Sequence, residues 1–239
     1  MSEADRNRLE ETLRQLVRSM SGALTHRRRV GTRGRIDSAR TTRQSLRYDG
    51  VPFRPVSVVR AEDRPRLIIL ADVSLSVRAS TRFTLQLVHG LQRLVPRVRT
   101  FAFVDDVVEV TNLFSDHSVE DALGLVLGGD VLDVDANSDY GNALSRFMDQ
   151  FGGEVNRRTT VLVLGDGRGN GHDPRPEALA DLARRAREVI WLTPESRYSW
   201  VLAGSDMPLY ESLCTRVEVV PDLESLDRMA RGLADASTR

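Results

Sequence analysis

Three short segments of the sequence bring carboxylate and hydroxyl side chains together. They are Asp72-Val73-Ser74-Leu75-Ser76, Ser138-Asp139-Tyr140-Gly141 and Gly165-Asp166-Gly167. Oxygen donors without histidine or cysteine are the ligands that hard cations prefer, and Mg²⁺ suits such a set best, with waters completing its shell. The residue types therefore predict a divalent-cation site, with Mn²⁺ and Ca²⁺ as the alternative occupants.

The elements around these segments must place them at one edge of a sheet. Continuous apolar runs over 67–71 and 160–164 are typical of strands buried on both faces. Asp72 and Asp166 follow these strands, and Ser138 precedes a helical segment. Because ligands of open parallel sheets bind at the carboxyl ends of strands, we expect these side chains to converge on one cation-sized point. The predicted metal ligands are Asp72, Ser74, Ser76, Ser138 and Asp166.

Strand and helix patterns alternate along the rest of the chain. Helices are predicted over 4–20, 83–95, 119–127, 143–151, 174–187 and 222–234, and further strands over 101–104, 107–110, 189–192 and 217–220. This alternation predicts an α/β, Rossmann-like fold with a mostly parallel central sheet, one antiparallel edge strand and helices on both faces. Residues 21–66 lack a clean periodicity. We therefore expect residues 1–66 to form a basic helix and arm that pack on a main domain over 67–236.

Composition and charge exclude several classes of protein. Of 239 residues, 41% are hydrophobic, which is typical of a globular protein, and the single cysteine, Cys214, excludes a disulfide framework and a four-thiolate zinc site. All 34 basic residues are arginine, so the chain lacks the lysine of a P-loop ATPase. No signal peptide and no apolar run of about 20 residues is present, which predicts a cytoplasmic protein without a membrane span.

The three oxygen-rich segments resemble the metal-ion-dependent adhesion site (MIDAS) of von Willebrand factor A (vWA) domains. Further motifs are similar to the CoxE-like vWA proteins, over roughly residues 31–234. These motifs are Gly34-Arg35-Ile36-Asp37 with Arg40, Thr41, Arg43, Ser45-Leu46-Arg47 and Gly50, then Gly165-Asp166-Gly167-Arg168-Gly169-Asn170-Gly171, and Ser205-Asp206-Met207-Pro208-Leu209-Tyr210 with Cys214. Leu75, Val77 and Ser138 stand where the family usually has glycine, methionine and threonine. CoxE-like proteins usually carry more N-terminal sequence than this chain.

The resemblance assigns a role to each site residue. It implies that Ser74, Ser76 and Ser138 ligate the metal directly or through water. Asp72 and Asp166 would supply charge, partly through bound waters. Asp139 would lie behind the ligands and orient hydroxyls or waters. An open coordination position would accept a carboxylate from a partner, and Leu75 and Arg168 would lie on the partner-binding surface.

The resemblance also implies a function. A CoxE-like protein would be a non-catalytic, Mg²⁺-dependent adaptor of a MoxR-type AAA+ ATPase. With that ATPase it would act, in a chaperone-like manner, on a client protein, for example in metalloenzyme maturation or complex remodelling.

Two other functions compete with the adaptor. One is a Mg²⁺-dependent phosphoryl-transfer enzyme with Asp72 as nucleophile, but such enzymes usually carry a second carboxylate two residues later, where this chain has Ser74. The other is nucleic-acid binding through the arginine-rich arm, around His26-Arg27-Arg28-Arg29. Residues 1–60 hold 14 Arg against 6 Asp or Glu, yet no aromatic residues interleave with these arginines, so we disfavour nucleic acid as a partner.

Overall fold

The structure of the protein is a computed structural model. It describes residues 3–22, 28–36, 41, 57–60, 66–74, 77–117, 119–128, 132, 136–201 and 204–237. The chain divides into two compact units. Residues 1–22 and 65–239 form the larger unit, and residues 23–64 form the smaller one.

The described strands and helices have the following bounds. The strands are β1 (Arg28–Ile36), β2 (Ser57–Arg60), β3 (Arg66–Asp72), β4 (Val98–Phe103), β5 (Val107–Glu109), β6 (Thr159–Leu164), β7 (Glu188–Thr193) and β8 (Arg216–Val219). The helices are α1 (Glu3–Gly22), α2 (Arg78–Leu94), α3 (Thr111–Asp116), α4 (Val119–Leu127), α5 (Tyr140–Phe151), α6 (Pro176–Arg185), α7 (Met207–Glu211) and α8 (Leu223–Ser237).

The larger unit is built on a six-stranded sheet in the order β5-β4-β3-β6-β7-β8. All neighbouring strands are parallel except β5, which pairs antiparallel with β4 at the edge. The predicted fold class is therefore confirmed. Both ends of every predicted strand lie within three residues of the ends observed in the structure. The chain passes from β3 to β4 on one side and returns to β6 on the other, which makes the gap between β3 and β6 a topological switch point.

Side chains that alternate along β3 divide the core into two layers. Leu67, Ile69 and Ala71 pack in the layer that includes α1, α2, α4 and α8. Ile68 and Leu70 pack in the opposite layer, with α5, α6 and α7. Helices on both faces explain why β3 is a continuous apolar run rather than an alternating one.

Helix α1 belongs to the larger unit. Its apolar stripe includes Leu9, Leu13 and Leu16, all buried, and the helix contacts α2 and α8. Gly90 on α2 lies at this contact, where a Cβ would overlap the end of the Leu13 side chain. The helix predicted over 4–20 is thus present and docked. That residues 21–66 form an arm packed on the main domain stays a prediction.

The smaller unit contains an antiparallel pair, β1 and β2, with a register shift between Val30 and Arg35. No strand was predicted in this unit. The reason is the composition of β1, Arg-Arg-Val-Gly-Thr-Arg-Gly-Arg-Ile, in which arginine and glycine replace the apolar alternation that marks a half-buried strand. In the part of the chain that is described, no helix has the length and apolar character needed to span a membrane.

Candidate metal centre

The two acidic residues predicted to hold a cation lie side by side at the switch point. Asp72 is the last residue of β3, and Asp166 follows β6 by two residues. Since Ala71 of β3 pairs with Leu164 of β6, the two strands deliver their carboxylates to the same sheet edge. Both residues are buried, with exposed fractions of 1% for Asp72 and 2% for Asp166. The predicted convergence of these two carboxylates is therefore present.

Backbone and side-chain donors hold each carboxylate in place. The Ser74 backbone N–H donates to Asp72 Oδ1 at 2.8 Å, and the Arg168 backbone N–H donates to Asp166 Oδ1 at 2.9 Å. The Tyr140 hydroxyl donates to Asp72 Oδ2 at 2.6 Å and lies 3.4 Å from Asp166 Oδ1. A single hydroxyl thus lies between the two carboxylates.

The close approach of Tyr140 depends on Gly165. A Cβ at this position would overlap the Tyr140 hydroxyl and would lie 2.9 Å from Asp72 Cβ. The glycine before Asp166 therefore has a steric role, which its place in a glycine-rich loop did not indicate. Tyr140 itself was not among the predicted site residues. An aromatic residue on the apolar face of a helix ordinarily belongs to a core, and no local signal distinguishes this one.

Burial makes the paired carboxylates electrostatically unfavourable. Removal from water, and then the nearby charge of Asp166, raises the pKa of Asp72 to about 7. Burial and the same two carboxylates also raise the pKa of Tyr140 well above its ordinary value, so its hydroxyl stays a proton donor. A divalent cation held by the two carboxylates would offset this repulsion with its positive charge.

Ser138 contributes a second unusual feature. The residue is buried, with 1% exposure, and its Oγ has no hydrogen-bond partner among the described residues. Its carbonyl accepts a hydrogen bond from Asn170 Nδ2 at 3.1 Å, which ties the Ser138 segment to the loop that carries Asp166. A buried hydroxyl without a partner is rare, and ligation of a metal is one of the few ways to satisfy it.

The neighbouring Asp139 is already engaged at the start of α5. Its Oδ1 accepts the Asn142 backbone N–H at 2.8 Å, which is the arrangement of a helix N-cap. His172 Nδ1 lies 3.7 Å from its other carboxylate oxygen. That Asp139 orients hydroxyls or waters of a metal site stays a prediction.

These donors fit a hard cation. Within the described residues, no group of three or more His, Cys, Asp and Glu side chains could hold a metal. That result is expected for the predicted donor set, which has two carboxylates and takes its remaining donors from serine hydroxyls. Ser74 is buried and adjoins Asp72, whereas Ser76 and Leu75 lie outside the described residues.

A family model described as "VWA domain containing CoxE-like protein" matches residues 9–229. The chain belongs to the CoxE-like vWA family. The match begins inside α1 and includes residues 23–64, so both units belong to the family's sequence pattern. None of the curated proteins matches the chain.

Several solved vWA-type structures are similar to the chain at low identity. A von Willebrand factor type A protein from Catenulispora acidiphila is 13% identical, over 75% of this chain and 43% of its own, with a TM-score of 0.48. Proximal thread matrix protein 1 from the mussel byssus, with a zinc-occupied MIDAS motif, is 16% identical, over 72% of this chain and 47% of its own, with a TM-score of 0.46. The matched region thus spans less than half the length of each of these two proteins.

An ion pair lies beside the candidate site of this vWA domain. Arg168 Nε donates to Glu195 Oε1 at 2.7 Å, and Arg168 Nη2 donates to Glu195 Oε2 at 2.9 Å. The loops after β6 and β7 are thereby joined next to Asp166. The bidentate hydrogen bonds with Glu195 raise the pKa of Arg168 above its ordinary value, and the negative charge of Asp166 adds to this effect. That Arg168 and Leu75 contact a partner stays a prediction.

Proposed function

We propose that this CoxE-like vWA protein is a non-catalytic protein-interaction module whose binding surface includes a divalent cation, Mg²⁺. The observation that carries the proposal is the pair Asp72 and Asp166. Two buried carboxylates meet at the switch point of the sheet and share one hydroxyl donor. Such an arrangement is costly without a cation and is stabilised by one.

The residues of the chain prepare the site for that ion. Asp72, Ser74, Ser138 and Asp166 would hold it, together with Ser76 by analogy with the family motif. When bound, Mg²⁺ supplies positive charge and a coordination position open to a partner's carboxylate. The Ser74 and Arg168 backbone N–H groups keep the two carboxylates oriented, and the apolar layers on both sides of β3 exclude water from behind them.

The same geometry argues against a phosphoryl-transfer enzyme. Both oxygens of the candidate nucleophile, Asp72, already accept hydrogen bonds, and Ser74 stands where such an enzyme usually carries its second carboxylate. Cys214 offers no second nucleophile, since burial raises the pKa of its thiol to about 12. Binding of a partner through a cation requires only that the two carboxylates keep a fixed position and their negative charge.

The partner we propose follows from the family: a MoxR-type AAA+ ATPase, with which the vWA protein would act on a client. The carboxylate that meets the cation would come from one of these two proteins. Complementary charge at such a contact favours a partner that presents a carboxylate, because a cationic surface would be repelled by the ion and an apolar one would leave its open position unfilled.

Co-purification with the MoxR-type ATPase encoded nearest to this gene tests the proposal. We expect the wild-type chain to retain the ATPase in Mg²⁺ and to release it in EDTA, and Asp72→Ala to retain none. Asp149→Ala, which changes an exposed aspartate on α5, is the matched control and should bind like wild type. Binding that survives both EDTA and Asp72→Ala would show that the interaction does not use a cation.

A further inference from the structure

We infer that the Tyr140 hydroxyl fixes the spacing of the two carboxylates and thereby makes the site selective for Mg²⁺ over Ca²⁺. This inference rests on the proposed function, because it concerns the same cation. Tyr140 would be a positioning residue. It acts through Asp72 and Asp166 and does not itself ligate the ion.

The hydroxyl limits how far apart the carboxylates can be. It lies 2.6 Å from Asp72 Oδ2 and 3.4 Å from Asp166 Oδ1, so these two oxygens are separated by no more than the sum of the two distances. The strand register brings the two backbones to adjacent positions, but it leaves the carboxylate groups free to rotate. Tyr140 removes that freedom at Asp72, whose other oxygen is already held by the Ser74 backbone N–H.

The hydroxyl can act as a fixed point because its ring is immobilised. The ring is fully buried, stacks on Trp191 with centroids 5.6 Å apart, and meets Phe103 edge-on at 5.0 Å. Trp191 is in turn anchored by donation from its Nε1 to the Gly165 carbonyl at 2.9 Å. These contacts hold the Tyr140 ring in place in a close-packed interior.

A fixed spacing favours the smaller ion. Mg²⁺ binds oxygen at about 2.0–2.1 Å and demands near-ideal octahedral geometry, whereas Ca²⁺ binds at about 2.3–2.6 Å and tolerates irregular shells. Discrimination between the two depends on the size and flexibility of the site. Release of Asp72 Oδ2 from Tyr140 would enlarge the site and loosen it, which harms Mg²⁺ binding more than Ca²⁺ binding.

Calorimetric titration of the full chain with Mg²⁺ and with Ca²⁺ tests this inference. In Tyr140→Phe, we expect the Mg²⁺ affinity to fall ~10–100-fold, as for other residues that orient metal ligands, and the Ca²⁺ affinity to fall less. The matched control is Tyr210→Phe. It removes the same group from a neighbouring ring of the cluster, where the hydroxyl donates to the Pro174 carbonyl at 2.7 Å. Both affinities should be unchanged in this control.

Two further variants distinguish the effect of the hydrogen-bond donor at Tyr140 from the effect of how its ring packs. Tyr140→4-aminophenylalanine keeps a donor at the same point and should restore the preference for Mg²⁺. Tyr140→4-fluorophenylalanine keeps the size of the ring substituent without a donor, so it should lose that preference, and it replaces Tyr140→Phe if the latter does not fold.

The outcomes are distinguishable. Equal losses of Mg²⁺ and Ca²⁺ affinity in the donor-free variants, or no loss, would overturn the inference and leave the proposed function standing. A wild-type chain that binds neither ion would overturn the proposed function, and the inference with it.

Discussion

Ser138 holds the clearest sign that this site needs a further component. A buried polar atom without a hydrogen bond costs about 1–3 kcal/mol, and the folded chain alone offers no described partner for Ser138 Oγ. Asp72 adds a related cost, because burial and the adjacent carboxylate raise its pKa to about 7. Both costs fall on residues that the sequence pattern assigned to metal binding, and a cation would relieve both.

Replacement of Ser138 should affect the metal-free protein and the metal-bound protein in opposite directions. We expect Ser138→Ala to leave the metal-free free energy of unfolding unchanged, or to raise it by up to about 1 kcal/mol, because an unsatisfied group is removed. The same variant should bind Mg²⁺ at least about tenfold more weakly. Chemical denaturation in EDTA and Mg²⁺ titration give the two readouts.

Ser145→Ala is the control for this pair of measurements. It also removes a serine hydroxyl from the α5 region, but one that already donates to the Gly141 carbonyl at 2.7 Å. Its Mg²⁺ affinity should equal that of wild type. If Ser138→Ala kept wild-type affinity too, Ser138 would not be a ligand.

At the scale of elements, α1 is joined to α8 by a small polar cluster beside the apolar contact. Asp227 accepts hydrogen bonds from Arg8 Nη2 at 3.1 Å and from Thr12 Oγ1 at 3.2 Å, and it also pairs with Arg231. These donors, Arg231 first, lower the pKa of Asp227. The contact links the N-terminal helix of the larger unit to its C-terminal helix.

The lowered pKa predicts a pH-dependent contribution to stability. Because the folded state favours the ionised form, the contribution of Asp227 is fully present above the ordinary aspartate value of about 3.9 and is lost as the pH falls through the lower, folded-state pKa. Asp227→Asn should therefore cost about 1 kcal/mol near pH 7.

Denaturant unfolding at several pH values measures this difference. We expect the gap between Asp227→Asn and wild type to close as the pH falls below about 3.9. A gap that stayed constant down to the lowest pH would assign the effect to packing rather than to charge. Asp149→Asn, on the exposed face of α5, provides a carboxylate control without such a gap.

At the scale of the whole molecule, the candidate site draws on β3, β6 and the start of α5, which are far apart in sequence. The unfolded chain therefore has no such site, and any cation that binds it stabilises the folded state. At a concentration 100 times the dissociation constant, this stabilisation is about 2.7 kcal/mol. For a domain of this size, each kcal/mol corresponds to roughly 2–4 °C in Tm.

Thermal unfolding with and without Mg²⁺ tests that coupling. We expect Mg²⁺ to raise the Tm of the wild-type chain by roughly 5–10 °C and EDTA to reverse the shift. Asp72→Asn should melt at or above the wild-type temperature without metal, since it removes one of two repelling charges, and should show no shift with Mg²⁺. A wild-type Tm that does not respond to millimolar Mg²⁺ would contradict a preformed cation site.

The local sequence determined the main sheet and the acidic half of the site. Apolar runs such as 67–71 are long and regular enough to specify buried strands, and residues at their carboxyl ends must share an edge once the sheet is parallel. Asp72 and Asp166 could therefore be placed together from their positions alone. The order of the motifs also sufficed to indicate the CoxE-like vWA family.

Contacts between distant segments were decided only by the tertiary structure. The role of Tyr140 depends on Gly165 and Asp72, neither of which is near it in sequence, and a lone aromatic residue carries no sign of such a contact. The pairing of β1 with β2 and the docking of α1 on α8 likewise arise from partners supplied by other parts of the chain. Periodicity reports which face of an element is apolar, whereas the identity of the partner on that face is set by packing in three dimensions.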